Sequence, residues 1–136
     1  MKTQVKENKS TNINKLKQND FSVTQFSKDI SYGKKHEKLV MKSLEKYELK
    51  TDRMAHKTGN VYVEFQSRGK DSGIKVSNAG TWIFKIVSAK DTHLFSIQIP
   101  LSRLKKLVSK DYRVVPGGDN MTSRGYLIPI PDLVKV

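Results

Sequence analysis

A chain of 136 residues with 26 Lys and Arg against 13 Asp and Glu carries a formal net charge of +13. That length holds one core of domain size, and the charge excess points to polyanions as partners. The chain has no cysteine, which excludes disulfide frameworks, zinc ribbons and thiol catalysis. No apolar run approaches the roughly 20 residues that cross a bilayer, so an intracellular, cytoplasmic protein without a membrane partner is expected.

Residues 1–20 are rich in Lys, Asn, Gln and Thr with only scattered apolar residues, and are expected to form a disordered basic arm ahead of one domain over residues 21–136. Phe21, Val23, Phe26 and Ile30 bring apolar groups back in a short element packed on that domain. Leu39, Val40, Leu44 and Tyr47 then recur at helical spacing, which predicts a helix over Tyr32–Tyr47 with Glu37 on its buried side beside Val40, Met41 and Leu44. Glu48–Arg53 and Val61–Arg68 read as two strands joined in a hairpin across Lys57-Thr58-Gly59-Asn60. In the second strand, alternation puts Val61, Val63, Phe65 and Ser67 on one face, and Tyr62, Glu64 and Gln66 on the other.

A basic, glycine-bearing loop follows at residues 68–75, and Ser77-Asn78-Ala79 is expected to open a helical turn. Strands are expected at Trp82–Val87 and Thr92–Ile99, then a helix that begins at Pro100 and turns Leu101, Leu104, Leu107 and Val108 inward. After a strand at Arg113–Val115 and a loop over Pro116–Asn120, the closing strand Tyr126–Ile130 is interrupted by prolines that place it at a sheet edge. This order predicts an α/β fold with a mixed central β-sheet flanked by helices.

Glu37, Asp52, Glu64 and Gln66 are the polar residues that converge in this arrangement. Hard cations prefer oxygen ligands, and carboxylates from adjacent strands suit one or two of them while a phosphate oxygen completes the shell. Asp52 and Glu64 are the candidate metal ligands and Glu37 supports the site. The carboxamide of Gln66 offers an oxygen ligand or orients water, but cannot act as a base. Arg53, Lys57, Arg68, Lys70 and Lys75 are candidate phosphate contacts around these acids. The alternative reading of Glu64 and Gln66 is a solvent-facing sheet surface, and of Asp52 a turn; the crowding of Arg68, Lys70 and Lys75 around the carboxylates weighs against it. His36, His56 and His93 lack zinc-type spacing, and Trp82 and Phe84 read as core.

The succession Glu37, Asp52 and, a dozen residues on, Glu64-Phe65-Gln66 resembles the PD-(D/E)XK nuclease superfamily, which includes restriction enzymes and Holliday-junction resolvases. The stretch KTDRMAHKTGNVYVEFQSRGKDSGI, with Trp82 and RGYLIPI, is similar to a group of small phage-encoded nuclease-like proteins over roughly residues 32–130. The resemblance implies a restriction-endonuclease-like core, dependence on Mg²⁺ with Mn²⁺ as a substitute, and a DNA substrate. It departs from the motif at Thr51, where proline is usual, and at Gln66, where lysine is usual. Three functions stay open: a metal-dependent DNA endonuclease, working as a symmetric homodimer where two strands are to be cut; a non-catalytic basic DNA-binding protein on a nuclease-like scaffold; and an RNA-binding protein.

Overall fold

The computed structural model describes residues 23–135, so the expected arm over residues 1–20 lies outside the described residues, as does Phe21. The chain divides into two compact units, residues 1–42 and residues 43–136.

In the first unit, helix α1 runs from Val23 to Ser43. Phe26 and Ile30 therefore belong to the same helix as Leu39 and Val40, not to a separate short element, and the helix stops before Tyr47. Every described side chain from Thr24 to Lys42 is exposed, Glu37 included. The expectation that Glu37 lies on a buried side is thereby corrected. The stripe that begins with Phe26 and Ile30 passes through Gly33 and Glu37 before it regains Val40, so it is too broken to form a continuous apolar face.

The second unit is a mixed α/β body with two sheets rather than one. Strands β1 (Tyr47–Asp52), β4 (Thr81–Val87) and β5 (His93–Pro100) form a three-stranded sheet in the order β1-β4-β5. Its β1–β4 pair is parallel and its β4–β5 pair antiparallel. Strands β2 (Asn60–Ser67), β3 (Lys70–Asp71), β6 (Arg113–Gly117) and β7 (Ser123–Pro129) form an antiparallel sheet in the order β3-β2-β7-β6. Three short helices complete the unit: α2 (Ala55–Thr58), α3 (Leu101–Val108) and α4 (Ile130–Val134). No helix among the described residues is long and apolar enough to cross a membrane.

β1 and β2 are not a hairpin. Residues 55–58 close a helical turn, and Gly59, left-handed at φ 73°, caps it by donating its N–H to the Ala55 carbonyl. Turn and helix cap make the same demand for a left-handed residue, which is why this segment reads as either. The two-residue hairpin lies one strand later, where Arg68 and Gly69, with φ 51° and 77°, join β2 to β3. Residues 73–75 take the expected helical turn in place of Ser77-Asn78-Ala79. Ser77 instead accepts a 3.0 Å hydrogen bond from the indole N–H of Trp82.

The closing strand β7 is interior, between β2 and β6, rather than at an edge. Pro129 ends it and Pro131 falls in the first turn of α4, where a missing N–H costs nothing. The prolines that do lie in edge strands are Pro116 of β6 and Pro100 at the end of β5.

Both sheets feed one apolar core. β2 contributes Val61, Val63 and Phe65, β4 contributes Trp82, Phe84 and Ile86, and Leu101, Leu104, Ile128 and Leu133 close around them. Trp82 is fully buried, so Trp82→Ala should lower the unfolding free energy by about 3–5 kcal/mol. Leu94→Ala, at a half-exposed position of β5, should cost less than about 1 kcal/mol. Urea titration of the two variants measures the contrast.

Candidate active site

The site is built on β2. Its alternation holds: Val61 and Val63 are fully buried and Phe65 nearly so, while Tyr62, Glu64 and Gln66 keep partial access to solvent. The pairing with β7 slips between Glu64, opposite Gly125, and Gln66, opposite Arg124, so Phe65 is an extra residue in the ladder. Such a bulge bends the strand and shifts its register against β7, while exposure still alternates from Val61 through Gln66.

Glu64 is held from the segment after β3. Ser72 donates its hydroxyl to Glu64 Oε1 at 2.5 Å, and its N–H to the Phe65 carbonyl at 3.0 Å. The next residue fits only as glycine. Gly73 has φ +53°, and a Cβ there would stand 2.1 Å from the Glu64 carbonyl oxygen. Backbone thus lies directly on backbone at the carboxylate-bearing residue.

Glu64 opens into a cleft of about 340 Å³ lined by Lys46, Glu48 and Lys50 on one side and Ser72, Ser77 and Asn78 on another. Glu48 and Lys50 form an ion pair at 2.7 Å, and the Lys50 ammonium lies 5.3 Å from the centre of the Trp82 ring. These two residues were not singled out from the sequence, which shows only a strand with one polar and one apolar face. In YELKTD the polar Glu48, Lys50 and Asp52 take the half-buried face of β1, while Tyr47, Leu49 and Thr51 are exposed. A strand that turns its charged side inward is the informative exception to ordinary patterning.

Asp52 and Gln66 do not line this cleft. Asp52 sits at the far end of β1 from Glu48, and its Oδ1 accepts the N–H groups of Met54 and Ala55, both at 2.8 Å. That oxygen fixes the entry to α2, and among the described residues Oδ2 has no hydrogen-bond partner. Gln66 pairs across β3 with Asp71. Glu37 belongs to the helical unit and is exposed.

Arg53, Lys57, Arg68, Lys70 and Lys75 are all exposed. Lys75 is partly committed, at 3.6 Å from Asp71 and 5.1 Å from the Phe65 ring centre. The other four make no ion pair among the described residues. The histidines have ordinary surroundings: His36 stacks against Tyr32 at 4.2 Å, and His93 Nε2 lies 2.8 Å from the Ser96 hydroxyl.

Among the described residues no three His, Cys, Asp or Glu side chains gather to hold a metal ion. Mg²⁺ needs less than that, because it commonly takes one or two carboxylates and fills its shell with water and phosphate oxygen. Of the β1 carboxylates, Glu48 lines the cleft with Glu64 and Asp52 does not.

Tyr62 borders Glu64 on the same strand face, and its ring lies across Gly117 and Gly125. Its hydroxyl is buried without a hydrogen-bond partner. Burial, and then the charge of Glu64, raise its phenol above the ordinary value.

No family model matches this chain, and neither a curated protein nor a solved structure does.

Two outcomes follow from this geometry. Gly73→Ala should destabilise the fold by about 1–3 kcal/mol through strain at a left-handed position, readable in the denaturation midpoint. Tyr62→Phe should leave stability at neutral pH unchanged or raise it by up to about 1 kcal/mol, since it removes an unsatisfied buried hydroxyl. Below the ordinary phenol value both folded and unfolded chains keep the Tyr62 proton. Above it the unfolded chain ionises first, so stability is lost as pH climbs toward the raised folded value. Tyr62→Phe should flatten that alkaline loss, leaving the part carried by Tyr112, whose phenol is also raised by burial and by Asp132. Thermal melts between neutral and strongly alkaline pH measure both effects.

Proposed function

We propose that this protein binds DNA and hydrolyses its phosphodiester bonds in a Mg²⁺-dependent reaction centred on Glu64, in the manner of the PD-(D/E)XK nucleases that the order Glu37, Asp52, Glu64, Gln66 resembles. The observation that carries the reading is Glu64 itself: a half-buried carboxylate, fixed by Ser72, opening into a cleft that also holds Lys46 and Lys50 on a chain of net charge +13. A carboxylate held in place among cations suits a substrate that brings its own negative charge.

Glu64 would hold the cation with one β1 carboxylate. The resemblance assigns that second place to Asp52, through the oxygen its helix-capping role leaves over, while Glu48 shares the cleft with Glu64. Bound there, Mg²⁺ supplies polarisation of the phosphate and a more acidic water. Ser72 keeps the carboxylate from rotating away. Lys46 and Lys50 offset phosphate charge as the strand enters, and Arg53, Lys57, Arg68 and Lys70 extend the cationic margin. Gln66 positions water or substrate by hydrogen bonding, without the charge a lysine would bring. Cutting two strands would call for two copies of the site, hence a homodimer.

A second reading, a non-catalytic DNA-binding protein, is favoured by Gln66 at the lysine position and by the Lys50 ammonium already paired with Glu48. A cleavage panel of supercoiled, linear, single-stranded and four-way-junction DNA with Mg²⁺ or Mn²⁺ separates the two. Wild type should cut at least one substrate, and Glu64→Gln should slow cutting by 100-fold or more, on the order of 3 kcal/mol in barrier. The same loss in Asp52→Asn with activity kept in Glu48→Gln supports the superfamily assignment; the reverse pattern moves the second ligand to Glu48. No cutting of any substrate by wild type leaves the binding protein.

A further inference from the structure

A second concavity, of about 440 Å³, lies between α3 and α4 and shares no residue with the Glu64 cleft. Arg103, Lys106, Lys110 and Lys135 line it against a single carboxylate, Asp132, over a floor that includes Leu107 and Leu133. Asp132 is already engaged: Tyr112 donates its hydroxyl to it at 2.9 Å and the Lys135 ammonium lies at 3.6 Å. Arg103 donates to the Lys135 carbonyl at 2.6 Å, which ties the guanidinium to the groove wall and leaves its other N–H groups without a hydrogen-bond partner among the described residues. Among the described residues Arg103, Lys106 and Lys110 have no acidic partner, and all three are exposed. Three like charges at one groove repel one another, so the arrangement favours an anion of matching extent.

We infer that the α3–α4 groove is a second, non-cleaving binding site for the phosphate backbone of a nucleic-acid strand. Arg103 and Lys106 are three residues apart on one helix face, and Lys110 follows four later, just past the end of α3. At about 1.5 Å of rise per residue the three cations span roughly 10 Å. Successive phosphates of one strand wind around the duplex and lie farther apart than its ~3.4 Å axial rise, so the row reaches about two to three of them. An acidic peptide offers such a row only as an unbroken run of Asp or Glu. The groove reads no bases; it lengthens the footprint and raises affinity for strands long enough to reach it. The inference rests on the nucleic-acid partner proposed above and not on its cleavage step.

The test is the salt dependence of binding, by fluorescence anisotropy of labelled single-stranded and duplex DNA in metal-free buffer. Each phosphate contact contributes about 0.9 to the slope of log K against log salt for duplex and about 0.7 for single strands. The triple variant R103A/K106A/K110A should lose about two to three from the slope and bind about tenfold or more weakly at ~0.1 M salt. Its melting temperature should stay close to that of wild type, because the three side chains are exposed. The control K28A/K34A/K90A removes the same net charge elsewhere and should change the slope by less than one. Equal losses in both triples overturn the site in favour of diffuse charge. An unchanged slope in the groove variant overturns it outright, as does displacement of DNA by polyglutamate more readily than by unlabelled DNA of equal charge. Failure of the nuclease reading would show instead as absent cleavage with the slope difference intact.

Discussion

Strand β2 answers to two demands at once, and the rest of the unit follows from how it meets them. Val61, Val63 and Phe65 must stay in the core that both sheets share, while Glu64 must reach the opposite side. The alternation in exposure carries on to Gln66. The bulge at Phe65 shifts the register against β7, and on the open side Gly73 fits against the Glu64 backbone where no side chain would go. That close approach brings Ser72 to the carboxylate. The Arg68-Gly69 turn sets the distance, because two left-handed residues return the chain antiparallel with no slack.

β1 is the counterpart across the cleft, and its polarity is inverted: charge faces inward, with Tyr47 and Leu49 outward at about half exposure. Glu48 and Lys50 neutralise each other there. A pair left more than a third exposed contributes only about 0–1 kcal/mol, too little to account for the inversion as a stabilising device. Lys50 is also steadied by the Trp82 ring, so the pair is positioned at the cleft wall rather than left to move in solvent.

What could be read in advance follows from which signals are local. β2, β4 and α3 are legible because a period of two, or of three and four, is set by burial on one side and needs no knowledge of partners. Pro100 and the apolar row after it located α3 for the same reason. Pairing was not legible. Gly59-Asn60 serves a helix cap as well as a turn, so the hairpin was assigned one strand too early and two sheets were merged into one. Pro129 and Pro131 look like edge-strand markers until the helix that begins at Ile130 is known. At the site, Glu64 stood out because it interrupts an apolar run. Glu48 and Lys50 did not, because a strand with one polar and one apolar face does not say which face is inside.

The distribution of acids and bases gives the last connection. Lys50, Lys75 and Lys135 have carboxylate partners within ion-pair range, and each of those carboxylates belongs to a strand or helix, Glu48 in β1, Asp71 in β3 and Asp132 in α4. Two acids of the second unit are also spent on holding helices in place, Asp52 at α2 and Asp132 against Tyr112. Much of the cationic surplus is left over at turns and on α3, where no acid shields it. A chain selected only for solubility would intersperse the two signs. One that must hold a polyanion at more than one point leaves its cations unpaired where the partner lies, and keeps an acid such as Glu64 in a cleft only where its fixed position offsets the repulsion it brings.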